Sequence, residues 1–164
     1  MSDTLRFAGI YPLSAVSDKQ LSGFDCGKIS LNSWLEQRAR SNEVAGGSRT
    51  YVLLTLDGEV AGFYTLSNYC IDHEGMRAIL RRNMPDPIPA VLLGRLAISQ
   101  KYHHNGIGRA LLRHAIENAC KVAEITGAAL FITEPIDSGA SAFYQHCGFS
   151  PVGKTLPFLA IRLH

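Results

Sequence analysis

An α+β fold, with a central sheet flanked by helices, is predicted by three features of the sequence. Val91–Ser99 is an apolar strand that passes through a polar turn into a glycine-opened amphipathic helix. Tyr51–Leu56 and Val60–Leu66 flank Asp57-Gly58-Glu59, the pattern of a hairpin. Helix-period segments alternate with these strands, and no repeat, low-complexity tract or linker divides them. At 164 residues and 46% hydrophobic, the chain suits one domain, 1–164, with a sizeable core.

The remaining elements follow from periodicity and punctuation. Leu5–Ile10 reads as a first strand. Ser30–Asn42 reads as a helix capped by Ser30, with Leu31, Trp34, Leu35 and the stem of Arg38 on one side. Ala45–Ser48 is a turn. Three prolines within Arg82–Pro89 remove donors and hold the chain extended, which excludes helix there. From Leu112 to Thr126 the glycine-opened helix buries Leu112, Ala115, Ile116, Ala119, Val122 and Ala123, and Gly127 ends it. Ala129–Thr133 is a strand, Ser138 caps a short helix stopped by Gly148, and Pro157–Leu163 is a final strand.

Composition excludes several classes. No apolar stretch reaches membrane-spanning length and Met1–Thr4 lacks a signal pattern, so a cytoplasmic protein without a membrane partner is expected. Cys26, Cys70, Cys120 and Cys147 are widely spaced, as reduced core thiols would be. The six histidines lack helical metal-ligand spacing, and no metal is expected. The net charge of +2 conceals a strong asymmetry. Residues 77–113 carry an excess of six positive charges, while the flanking segments are net −3 and −1. A basic stretch of this kind can answer phosphates, whether of a cofactor or of RNA.

The turn after Val91–Ser99 carries the most chemistry. His103-His104-Asn105-Gly106-Ile107-Gly108 leads into Arg109-Ala110. Glycines at a helix start leave unpaired backbone N–H groups at its positive end, where a pyrophosphate can sit. The spacing fits neither Gly-x-Gly-x-x-Gly nor a P-loop. It resembles the Arg/Gln-x-x-Gly-x-Gly/Ala loop of the GNAT superfamily of N-acetyltransferases, with His103 in place of the usual Arg or Gln. Ser138-Gly-Ala-Ser-Ala-Phe143-Tyr144-Gln-His-Cys-Gly148-Phe149 is similar to the helix and turn closing that family's acetyl-CoA site. The resemblance implies the GNAT fold, a mixed central sheet that holds acetyl-CoA where it splays. It implies cofactor contacts from Leu96, Ala97, Ile98 and His103 to Ala110. Tyr144 would be the acid that protonates the departing thiolate, since a phenol near pKa ~10 is protonated at neutral pH.

A longer match narrows the substrate. Phe24-Asp25-Cys26-Gly27 with Asn32 and Trp34, Gly47–Tyr51, Arg81–Pro89 and Gly94–Ala97 together resemble the GNAT toxins of bacterial toxin–antitoxin modules. That group acetylates the α-amine of aminoacyl-tRNA and so blocks translation. A ribbon-helix-helix antitoxin neutralises it, and the complex acts as a repressor by binding operator DNA. The resemblance also implies a homodimer. Arg77, Arg81 and Arg82 are then candidates for tRNA phosphates, with Arg49 and Arg95 as weaker ones.

The chemistry agrees with an α-amine. The strand Val91–Ser99 carries no carboxylate base, and Glu134 is the nearest candidate. An α-amine has an ordinary pKa of roughly 7.7–8.0, lower still beside an ester, so a good fraction is already neutral. Cys147 as an acyl-carrying nucleophile lacks a histidine–carboxylate pair beyond His146. A general protein-lysine or small-amine acetyltransferase is the alternative enzyme, and a non-catalytic interaction protein the alternative class.

Overall fold

The computed structural model describes residues 7–164. Leu5 and Arg6 of the expected first strand lie outside the described residues. Among the described residues, seven strands form one sheet in the order β1-β2-β3-β4-β5-β7-β6. The chain divides into two compact units, one comprising the chain up to Leu66 with Arg95–Ala115, the other Ser67–Gly94 with Ile116–His164.

In the first unit, β1 (Phe7–Pro12), β2 (Arg49–Thr55) and the first part of β3 (Val60–Ile71) pair antiparallel. The hairpin expected at Asp57–Glu59 is present. Helices α1 (Asp18–Ser22), α2 (Ile29–Gln37) and α3 (Ala39–Val44) bury Leu21, Leu35 and Ala39 in a core with Val52, Phe63 and Ala97. The single helix expected over 30–42 is two. Its cap is Lys28 rather than Ser30, with no side-chain bond, and Arg38 leaves helical geometry at φ −121°. A tertiary anchor accounts for the separate α3. The Arg40 guanidinium donates to the carbonyls of Leu13 and Val16 and pairs with Asp18. Those partners are far away in sequence, so no local pattern encodes the break.

Strand β4 (Ile88–Ile98) lies in the second unit up to Gly94, and there runs parallel to β5 (Leu130–Thr133) from Ala90↔Leu130 to Leu93↔Thr133. There β5 ends, with the Thr133 hydroxyl donating to the Leu93 carbonyl at 3.0 Å, and β4 continues to Ile98. Antiparallel β7 (Leu159–Arg162) and β6 (Ser150–Pro151) complete the order. The last strand is shorter than the expected 157–163. The short helix α4 (Ala78–Arg81) precedes the proline segment. The long α5 (Ile107–Ile125) begins in the first unit and ends in the second.

Helix α6 (Ser138–His146) is capped by Asp137, not Ser138. The two residues are both good caps, and the carboxylate takes the role by accepting from Ala140 N at 2.8 Å. Replacing Asp137 with Ala should cost about 1 kcal/mol, read as a lower urea midpoint at unchanged slope. An unchanged midpoint would show that the cap contributes nothing.

Candidate active site

The glycine turn belongs to the first unit. Alternation along β4 buries Ala97 in the core and leaves Leu96 and Ile98 half-buried. After Ile98, Ser99 N donates to the Ala61 carbonyl at 2.8 Å, and Gln100–Tyr102 forms one 3₁₀ turn. His103 then bends back, its Nε2 2.7 Å from the Ile98 carbonyl oxygen. His104 and Gly106 both take positive φ, 66° and 75°, and α5 starts at Ile107.

A Cβ at Gly106 would meet nothing within 4 Å, so conformation and not space demands the glycine there. The first turn of α5 has N–H groups without partners inside the helix, at its positive end. Asn105, Gly106, Arg109 and Ala110 are exposed, Gly108 is half-buried, and Ile107 is buried and anchors the turn. This arrangement can accept an anionic group on backbone donors. His103 is exposed beside it, serving as a brace on Ile98 in the position of the family's Arg or Gln.

Arg95 also lies in the first unit, and its setting differs from that of a solvated phosphate contact. Its guanidinium stands over the Trp34 ring at 3.8 Å, and Trp34 stacks on Phe63 with 8° between planes. Burial holds the Arg95 pKa below its ordinary value. Arg49 is exposed and stands 3.7 Å from Glu43.

Tyr144 belongs to the second unit, on α6. It is 5% exposed, between Phe143 and Phe149 with ring centroids 5.4 Å away on either side. Its carbonyl accepts from Cys147 and Phe149, and Gly148 between them has φ 103°, which ends the helix as expected. Burial pushes the phenol up to about 12, with the Thr133 hydroxyl partly opposing. The value expected from sequence was the ordinary one, near ~10. Tyr144 is therefore a firmer proton holder and a weaker acid than an exposed tyrosine. Glu134, following Thr133, is exposed.

The basic residues cluster on a short helix. Arg77 caps α4, Arg81 closes it and Arg82 follows it, and all three are exposed. Arg77 also donates to Ser150 Oγ at 3.0 Å. Arg162, which sequence reasoning passed over, joins them by donating to the Ile79 carbonyl on the same helix. Its separation from Ile79 in sequence hid that connection. The thiols are less uniformly internal than expected. Cys26 is buried, Cys120 and Cys147 are half-buried, and Cys70 is exposed. Among the described residues no group of three or more His, Cys, Asp or Glu could hold a metal, and no helix is long and apolar enough to cross a membrane.

A glycine turn opening a long helix after an apolar strand of a mixed sheet offers the backbone donors that an acyl-CoA-dependent transferase needs for its cofactor's phosphates. The acetyltransferase (GNAT) domain model matches residues 47–151, and the chain belongs to the GNAT acetyltransferase family. The chain is 40% identical over 129 residues to a tRNA-acetylating toxin of Mycobacterium tuberculosis (strain ATCC 25618 / H37Rv), covering 79% of this chain and 77% of that protein. It is also similar to AtaT in a structure complexed with acetyl-methionyl-tRNAfMet. There the identity is 28%, each chain is 93% covered, and the TM-score is 0.85. A tyrosine-to-phenylalanine mutant of AtaT, bound to the C-terminus of the antitoxin AtaR and acetyl-CoA, matches with 27% identity and a TM-score of 0.78. That match covers 94% of this chain and 92% of the mutant's.

Proposed function

We propose that this acetyltransferase moves the acetyl group of acetyl-CoA onto the α-amino group of an aminoacyl-tRNA, blocking translation as a toxin. The observation that carries this reading is the 40% identity with a tRNA-acetylating toxin over most of both chains. The exposed arginines on and around α4 support it, because they offer a phosphate-binding face. The family match runs through segments of both compact units, which supports one acetyltransferase domain over 1–164.

In this reading the N–H groups of Asn105–Arg109 hold the pyrophosphate, Ala110, whose N–H donates to the Gly106 carbonyl at 3.2 Å, closes the first helical turn behind them, and His103 and His104 shape the turn. Backbone groups of Leu96, Ala97 and Ile98, at the end of β4, align the acyl arm. The N–H groups near Ala97 and Ile98 polarise the thioester carbonyl and hold the oxyanion as the amine attacks. The carbon–sulfur bond breaks, and Tyr144 donates its hydrogen bond, then its proton, to the departing sulfur. The ammonium loses one proton to water before attack, and the nitrogen's second proton, released as the amide forms, passes through water to the tyrosinate, so no carboxylate base is needed. Arg77, Arg81 and Arg82 draw in the tRNA by its phosphates, with Arg49 as an outlying contact and Arg95 as one held on Trp34. The setting of action is the cytoplasm, where charged tRNA is found. The partners proposed with it are a ribbon-helix-helix antitoxin, operator DNA bound through that complex, and a second copy of the chain in a homodimer.

Labelled acetyl-CoA should label charged tRNA and not deacylated tRNA. Label on peptides or polyamines with none on RNA would replace this reading with a general amine acetyltransferase. Substituting Arg81 and Arg82 together by Gln should weaken tRNA binding. The log–log salt dependence should flatten by about 0.7–0.9 for each phosphate that is no longer neutralised. An unchanged slope would place the tRNA elsewhere.

A further inference from the structure

The turn that precedes the anion-binding helix is tied at four consecutive residues. Gln100 N donates to the Asp25 carbonyl at 2.9 Å. Lys101 Nζ lies 2.9 Å from Glu59 Oε2, and the Tyr102 hydroxyl donates to Glu59 Oε1 at 3.3 Å. His103 closes on Ile98. Glu59 alone holds two of these four positions, and it comes from the tip of the β2–β3 hairpin.

That tip is itself fixed. Glu59 N donates to the Thr55 hydroxyl at 3.0 Å and the Glu59 carbonyl accepts from Thr55 N at 2.9 Å. Gln20 Nε2 donates to the Gly58 carbonyl at 2.8 Å. Gln20 is in turn locked by its capping box with Ser17 at the start of α1. A chain of hydrogen bonds therefore runs from α1 through the hairpin tip to both oxygens of one carboxylate.

We propose that Glu59 is a positioning residue for acetyl-CoA, holding Lys101 and Tyr102 so that the following turn presents its N–H groups before the cofactor arrives. The inference rests on reading that turn as the pyrophosphate site. Both ends of the ion pair are exposed, Lys101 by 67% and Glu59 by 40%, so it adds little to global stability. Its effect is on the order of the loop, which lowers the entropy cost of binding.

Calorimetry with acetyl-CoA on the whole chain tests this. Glu59→Ala should raise Kd by about three- to tenfold. Glu59→Gln, which keeps one acceptor for Lys101 and turns a donor toward the Tyr102 hydroxyl, should raise it less. Saturated turnover and the urea midpoint should stay near wild type, and amide exchange across 100–106 should quicken only in the unliganded protein. Equal Kd values for wild type and Glu59→Ala would overturn the inference, as would a loss of affinity matched by global destabilisation. A wild-type protein that does not bind acetyl-CoA would instead overturn the cofactor reading, and the inference with it.

Discussion

Tyr144→Phe should lower acetyl transfer by about 10²- to 10³-fold while leaving acetyl-CoA affinity nearly unchanged. The substitution removes one oxygen from a side chain that is already buried between Phe143 and Phe149, so packing is conserved. In the proposed reaction, what is lost is the donor that meets negative charge on the departing sulfur, an interaction made only as the thioester breaks. The effect therefore belongs in kcat and not in binding. A variant with near wild-type kcat would remove Tyr144 from the reaction.

The raised phenol pKa sets the sign of the pH response. With its folded value pushed up to about 12, Tyr144 keeps its proton across the physiological range. Its ionisation then cannot limit activity near neutrality. The unfolded phenol titrates near ~10, so above that pH the unfolded chain releases a proton that the folded chain retains. The tyrosine's contribution to stability is therefore full below about 10 and lost as the pH climbs toward 12. Tyr144→Phe should blunt this alkaline loss.

The second large effect is structural. Gly153→Ala should destabilise the protein by about 3 kcal/mol, through overpacking that cannot relax by rotation. A Cβ at Gly153 would lie 2.0 Å from the Gly75 carbonyl oxygen and 3.0 Å from its carbon, so one backbone must move. The segment forced aside leads directly into Arg77, whose N–H is held by the Val152 carbonyl at 2.8 Å. The variant should melt roughly 6–12 °C lower, and tRNA binding should weaken in the folded remainder. A melting temperature within a degree of wild type would show that the two backbones separate easily.

Much of the fold is legible in the sequence because it is written in local patterns. The hairpin at Asp57–Glu59, the strand into the glycine turn and the long α5 all follow from periodicity and turn residues that act over a few positions. The cap of α6 lies one residue earlier than sequence suggests, since Asp and Ser side by side satisfy the same rule and only geometry selects the carboxylate. The break at Arg38 is not legible, because it depends on Arg40 reaching Leu13, Val16 and Asp18. Arg162 escapes notice for the same reason, as its partner Ile79 is a distant residue.

The candidate site divides along the same line. Backbone donors at a helix start, positive-φ glycine and a basic run are sequence properties, since they arise from bonded geometry and from charge along the chain. The sequence alone thus determined the family, the glycine turn and the candidate residues. Tertiary structure decided what environment each candidate occupies. It placed Arg95 on Trp34, bent His103 onto Ile98, tied Lys101 and Tyr102 to Glu59 and buried Tyr144 deeply enough to raise its pKa. Solvent exposure and partners set the energies of charged and titratable groups, and both come from residues that meet only when the chain has folded.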